Sequence, residues 1–217
     1  MNNILWKPTK KKILETHIYK LQNTINNKYN LNISSYNELH EWSVNNISDF
    51  WSTIWYDLEI INSKEYSIVV DDENKMPGAN WFIDSQLNFA ENLLKFRDNN
   101  VAIEFYNESS ICKQITYKEL YDYVAKVSFS FIKMGIKKND RIAAVMPNIP
   151  EAIICMLAAS SIGAVWSSCS PEFGLQGILD KFEQIKPKIL TGKRRYYDPK
   201  TISLLKKVQF LLKEQGM

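Results

Sequence analysis

Residues 140–191 constrain this chain most. They open DRIAAVMPNIPEAIICMLAASSIGAVWSSCSPEFGLQ and close on IKPKILT. Three short apolar runs, 141–146, 164–169 and 188–191, are separated by two longer segments, and Pro or Gly stands at every boundary. Pro147 and Pro150 stop the first run and set up a helix whose first turn carries Glu151 and which ends at Gly163. Pro171 precedes the second helix, and Pro187 ends it before the third run. Short strands alternating with helices of about 10–15 residues predict parallel β-strands joined by helical crossovers. The fold class expected is therefore α/β.

Upstream of this stretch the character is different. Residues 9–28 place Ile13, Ile18, Leu21 and Ile25 on a helical stripe entered through Pro8, and the following NNKYNLN is polar and turn-like. Ser35 with Glu38 three residues later makes a capping box for a short helix carrying Leu39 and Trp42. Ser48 starts another, in which Trp51, Trp55 and Leu58 are spaced to share one face, a packing surface rather than a ligand cage. Residues 67–98 lack sustained periodicity outside LNFAENLL (87–94) and read as a linker draped across a larger domain. VAIEFY (101–106) and ICKQIT (111–116) flank NESS and predict a β-hairpin. Thr116 and Glu119 form a second capping box, followed by a stripe through Leu120, Val124, Val127, Phe131 and Met134 that Gly135 closes. After Thr191, GKRRYYDPK reads as loop and 201–214 as a final amphipathic helix. The expected division is 1–98, helical with a linker, against 99–217, the α/β part.

Composition removes several classes of function. No apolar run approaches the ~18 residues of a membrane span, and MNNILWKPTKKK lacks the apolar centre of a secretory signal. Cys112, Cys155 and Cys169 have neither CxxC spacing nor a disulfide framework, which points to a reduced, cytoplasmic protein without a zinc site. The net charge of +3 is too small to imply a nucleic-acid partner. It is unevenly placed, with ten Lys and Arg against four Asp and Glu from Asp180 onward; this basic end could meet phosphates, and the favoured reading is a solvated helix face.

Few catalytic constellations are available. His17 and His40 both fall in helical patterns away from the α/β stretch. Cys155 lies mid-helix as a small apolar residue, and Cys169 sits at a strand end without a histidine partner in its sequence context. There is no GxSxG turn. Seven glycines in 217 residues are about 3%, under half the usual ~7%. None forms GxGxxG or GxxxxGK[ST], the loops whose backbone amides cradle phosphates. The stretch thus has the alternation of a nucleotide fold without a recognisable phosphate loop, and no residue is assigned as catalytic, cofactor-binding or metal-ligating.

Two motifs add a resemblance. ITYKEL (115–120) is similar to the early (L/I)(T/S)YxEL signature of the adenylate-forming, AMP-binding enzymes, and LAASSIGAVWSSCSP (157–171) is similar to the region that follows it. The finer resemblance is to the acetoacetyl-CoA synthetase branch. Trp81 and Phe82 followed by LNFAENLL resemble its WFPGAxLNYAENLL, and WSSCSPEFG (166–174) resembles its WSSCSPDFG, where acetyl-CoA synthetases have a His and an FGGFS run. The Trp-rich N-terminal part resembles the region shared by both synthetases, so the similarity covers roughly residues 30–191.

The resemblance implies ligation of acetoacetate to CoA in two steps. The carboxylate attacks the α-phosphorus of ATP with Mg²⁺ present, and the CoA thiol then displaces AMP from the acyl-adenylate. The family takes its phosphate-binding groups from an SGTTGxPK loop, a later acidic motif and a lysine in a mobile C-terminal domain, and none of these occurs in the 217 residues. Lys193, Arg194 and Arg195 lie about where related enzymes place a CoA-contacting loop, but the local sequence does not match and the role is not carried over. The expectation is a helical N-terminal region, a hairpin and the first parallel βαβαβ units of an incomplete AMP-binding domain. Such a chain would bind ATP, Mg²⁺ and CoA poorly and be inactive alone. It would act either as a piece of the ligase or as an interaction module pairing with a separately encoded C-terminal half. A related acyl-CoA synthetase is the remaining alternative.

Overall fold

The protein is described by a computed structural model covering residues 6–108 and 112–192. The expected helix over 201–214 and the Lys193–Arg195 triplet lie outside the described residues. Two compact units divide between Leu87 and Asn88, about ten residues before the division read from the sequence.

In the first unit, helices α1 (Lys10–Leu14) and α2 (His17–Tyr29) replace the single stripe expected over 9–28. Thr16 causes the break: its hydroxyl donates to the Ile13 carbonyl at 2.7 Å and accepts from the Tyr19 amide at 3.3 Å, so one side chain ends α1 and caps α2. As a result Ile13 and Ile18 are exposed and only Ile25 is fully enclosed. Helix α3 (Tyr36–Asn45) begins with the expected capping box of Ser35 and Glu38. Helix α4 (Ile47–Asp57) starts one residue before Ser48, whose backbone amide and hydroxyl instead donate to the Glu73 carboxylate.

Residues 67–98 do not form a draped linker. Strands β1 (Ile68–Val70) and β2 (Trp81–Ile83) pair antiparallel within the first unit, with Ile68 opposite Ile83 and Val70 opposite Trp81. The aromatics hold this ribbon to α4. Trp55, buried, stacks on Phe82 at 4.6 Å between ring centroids, and Tyr66 meets both rings edge-on at 5.3 Å. Trp51 and Leu58 remain exposed, and Trp51 packs edge-on against Trp81. Aromatic pairing supplied the order that residue periodicity failed to signal.

The second unit opens with α5 (Phe89–Leu93), followed by the hairpin of β3 (Val101–Tyr106) and β4 (Cys112–Thr116). Helix α6 (Tyr117–Lys133) begins with the Thr116–Glu119 capping box. Of its expected stripe, Leu120, Val124 and Phe131 are buried, Val127 packs against the same core, and Met134, beyond the last turn, is exposed. Then come β5 (Arg141–Val145), α7 (Pro150–Ser161), β6 (Val165–Cys169), a 3₁₀ turn (Pro171–Phe173), α8 (Gly174–Ile185) and β7 (Ile189–Thr191). The three strands are parallel in the order β6-β5-β7.

The first strand in sequence is thus the central one, and its residues alternate between two cores as pleating requires. Ile142, with Trp166 and Ile189 beside it in register, faces Ile154, Leu157 and Ala158 of α7 and the buried residues of α6. Ala143 and Val145, with Leu190 and Cys169 beside them, face Ile178, Leu179 and Phe182 of α8. All four residues from Ile142 to Val145 have no solvent exposure. Helices α7 and α8 therefore cover opposite faces of one sheet.

Polar pins fix the ends of these elements. The Arg141 side chain donates to the Ile185 and Lys186 carbonyls and satisfies the last turn of α8. The Lys188 ammonium bridges the Gly135 carbonyl and the Asp140 carboxylate, and it and the Lys137 amide hold that carboxyl below its usual range. Gly163 adopts φ 72° where α7 turns into β6, and a Cβ there would sit 3.1 Å from Lys138 Cγ. Asn88 does double duty: Oδ1 accepts from the Glu91 amide as the N-cap of α5, while Nδ2 donates to the Ser160 and Ser161 carbonyls at the end of α7. This explains why residues 88–94 belong with the second unit. Asn88→Ala is expected to lower the urea midpoint by the equivalent of about 1–3 kcal/mol, the scale of a lost cap plus exposed helix-end carbonyls. Asn88→Asp, which keeps the cap and lacks the donor, is expected to recover only part of it. An unchanged midpoint for Asn88→Ala would show that the clasp carries no stability.

Candidate functional site

The place where a ligand can approach follows from the strand order. β5 runs into α7 on one face, and its neighbour β6 runs into α8 on the other. Two adjacent parallel strands whose connections leave toward opposite faces open a crevice at their carboxyl ends, the usual ligand position in open α/β sheets. Here the crevice lies between residues 146–149, after β5, and residues 170–174, after β6. Its base is held by the register of Val145 with Cys169 and by a hydrogen bond from the Met146 amide to the Cys169 carbonyl at 3.1 Å.

The lining is poorly suited to a polyphosphate. Neither loop contains Lys or Arg. Helix α7 begins with Pro150, which has no amide hydrogen, and Glu151 occupies its first turn and ion-pairs with Lys113 at 3.5 Å. A carboxylate there already takes the place an anion would occupy at the helix end. In the second loop Ser170 Oγ accepts from the Glu172 amide, and Glu172 adds a further negative charge. Lys181, the nearest cation on α8, is committed to the Ser168 carbonyl at 2.6 Å. The residues of this edge therefore do not fit the triphosphate of ATP, and among the described residues no group of three or more His, Cys, Asp or Glu is placed to hold a metal ion. The crevice offers a shaped backbone wall with Asn148 and Phe173 exposed on it.

The residues weighed for chemistry from the sequence are dispersed. His17 and His40 are exposed in the first unit, His40 beside the Tyr36 ring at 6.3 Å. Cys155 is half-buried on α7. Cys169 lies at the crevice base but is buried, and burial pushes its thiol above the usual range, the opposite of what an activated nucleophile needs. Asn148, Ser170 and Glu172 gained a place at the crevice only through the strand order, which alternation of strands and helices does not specify. Thiol labelling at pH 7 checks the arrangement: exposed Cys112 is expected to react first, and Cys169 at least about tenfold more slowly until denaturant is added. Equal rates in the folded chain would contradict the burial of Cys169.

Comparison with known proteins places this geometry. The AMP-binding enzyme family model matches residues 89–215, and the acetyl-coenzyme A synthetase N-terminus model matches residues 36–93. Among similar proteins, the acetoacetyl-CoA synthetase of Xenopus tropicalis is 39% identical over 97% of this chain and 32% of its own length. That of Rhizobium meliloti is 35% identical over 93% of this chain and 32% of its own length. In structure, the acetoacetyl-CoA synthetase of Streptomyces lividans superposes with a TM-score of 0.82 at 29% identity, covering 95% of this chain and 33% of that one. The chain spans about a third of the length of the curated relatives it matches. Its second unit and most of its length carry the matching family model, and the chain belongs to the AMP-binding enzyme family.

Proposed function

We propose that these residues are the scaffold portion of an acetoacetate–CoA ligase. The reaction would activate acetoacetate with ATP to acetoacetyl-adenylate and pass the acyl group to CoA. The observation that carries the reading is WSSCSPEFG: it forms the end of β6, the crevice loop and the start of α8 in a chain whose relatives are named acetoacetyl-CoA synthetases. In this reading the helical first part is the N-terminal region of the synthetase type, and the later part opens the AMP-binding domain.

Adenylate formation concentrates charge on phosphate oxygens, so it requires oriented donors and a divalent cation. The crevice residues supply neither. Their part is to fix the wall against which groups outside these 217 residues would hold ATP, Mg²⁺ and CoA. The described residues contain no helix long and apolar enough to cross a membrane, and Cys112, Cys155 and Cys169 form no disulfide.

A second reading is an interaction module that pairs with a separately encoded C-terminal half. It is favoured by the sheet itself, because β6 and β7 each pair on one side only among the described residues, and Val165 on the β6 edge is 48% exposed. Both readings predict that the 217-residue chain shows no acetoacetate-dependent ATP–pyrophosphate exchange above a heat-killed control. Spliced ahead of the remaining two-thirds of the Streptomyces lividans enzyme, the same chain is expected to support that exchange. Exchange by the 217 residues alone would overturn the scaffold role, and a folded chimera that activates another carboxylate in preference to acetoacetate would overturn the substrate.

A further inference from the structure

At the other end of the second unit, away from the carboxyl edge, lies a hollow of about 400 Å³ between α5, α6 and the end of α7. The volume is within the range of small-molecule sites. Its floor is apolar: Leu94 and Val124 are 6% and 2% exposed and belong to the main core. The clasp already described is part of its lining, with Asn88 bonded to the Ser161 carbonyl. Arg97 also lines it. Its guanidinium carbon lies 3.9 Å from the centre of the Tyr121 ring, a stacking distance.

That stack has a chemical consequence. A guanidinium stacked on a ring keeps its N–H donors, which lie in its own plane, directed past the ring rather than into it. Arg97 is exposed and among the described residues makes no hydrogen bond and no ion pair, so its donors are open to a ligand. A planar fork lining an apolar-floored hollow matches a carboxylate bidentately and leaves the floor for the rest of the ligand. Glu91, also in the lining and in the first turn of α5, adds a negative charge to the hollow. A second anionic group on the ligand would meet that charge. We propose that this hollow binds a small monocarboxylate with an uncharged, apolar body, anchored by Arg97 and screened against dianions by Glu91. The site is independent of the ligase reading, since it uses none of the crevice residues.

Isothermal titration of the 217-residue chain tests it, with hexanoate as the monocarboxylate and adipate as its dicarboxylate of equal length. Saturable single-site binding of hexanoate is expected, with adipate at least about tenfold weaker. Arg97→Gln is expected to weaken hexanoate binding at least about tenfold. Ala125→Trp, from an exposed lining position on α6, is expected to do the same by filling the hollow while leaving Arg97 intact. Glu91→Gln is expected to narrow the gap between the two acids. Urea midpoints of the variants confirm folding, so that Ala125→Trp decides the matter if Arg97→Gln is destabilised. No saturable heat with hexanoate, or undiminished binding by both blocking variants, would overturn the site. Adipate binding as tightly as hexanoate, with no response to Glu91→Gln, would overturn the role given to Glu91.

Discussion

The burial of β5 on both faces is the interaction on which the second unit depends. Ile142 and Val145 sit three positions apart on one strand yet serve different cores, one built with α6 and α7 and the other with α8. Burying a side chain of this size fully is worth about 1.5–3 kcal/mol relative to exposure. Among the described residues, β6 and β7 pair with no strand other than β5. The two small residues between, Ala143 and Ala144, allow helices to approach from both sides, so that the strand is enclosed without large side chains of its own. Everything that defines the crevice follows, because only a central β5 sends its connection to one face while β6 sends its own to the other.

Elements marked by local chemistry were legible in the sequence. The boxes of Ser35 with Glu38 and of Thr116 with Glu119 start α3 and α6 as read, and the prolines and glycines of 140–191 bracket β5, α7, β6, α8 and β7 to within a residue or two. Features set by contacts between distant residues were not legible. A continuous stripe over 9–28 gave no warning that Thr16 would bond in both directions and split it. The ribbon of β1 and β2 has three residues per strand, too few for alternation to register, and it exists because Phe82 and Tyr66 pack on Trp55. Asn88 looked like a linker residue until its amide met the end of α7, more than 70 positions away. Likewise Arg97 and Tyr121 carry no motif, and only the fold stacks them.

The same contrast explains how family and chemistry separate in this chain. The residues that resemble the AMP-binding family are framework residues: caps, strand ends and the turn into α8. Phosphate-binding sites need backbone amides or cations aimed into space, commonly on glycine-rich loops. The carboxyl edge instead presents Pro150, Glu151 and Glu172. Its poverty in glycine and its acidic lining are two expressions of one property, a wall built to be packed and capped rather than to grip an anion.

Native-state amide hydrogen exchange, followed with and without Mg·ATP, tests this most directly. The amides of Ile142 to Val145 are expected to exchange most slowly in the second unit, and Mg·ATP is expected to leave residues 146–149 and 170–174 unchanged. Fast exchange in β5, at the rate of the β3–β4 hairpin, would contradict its role as the central support. Protection of the crevice loops by Mg·ATP would contradict the claim that this edge is framework without a phosphate grip of its own.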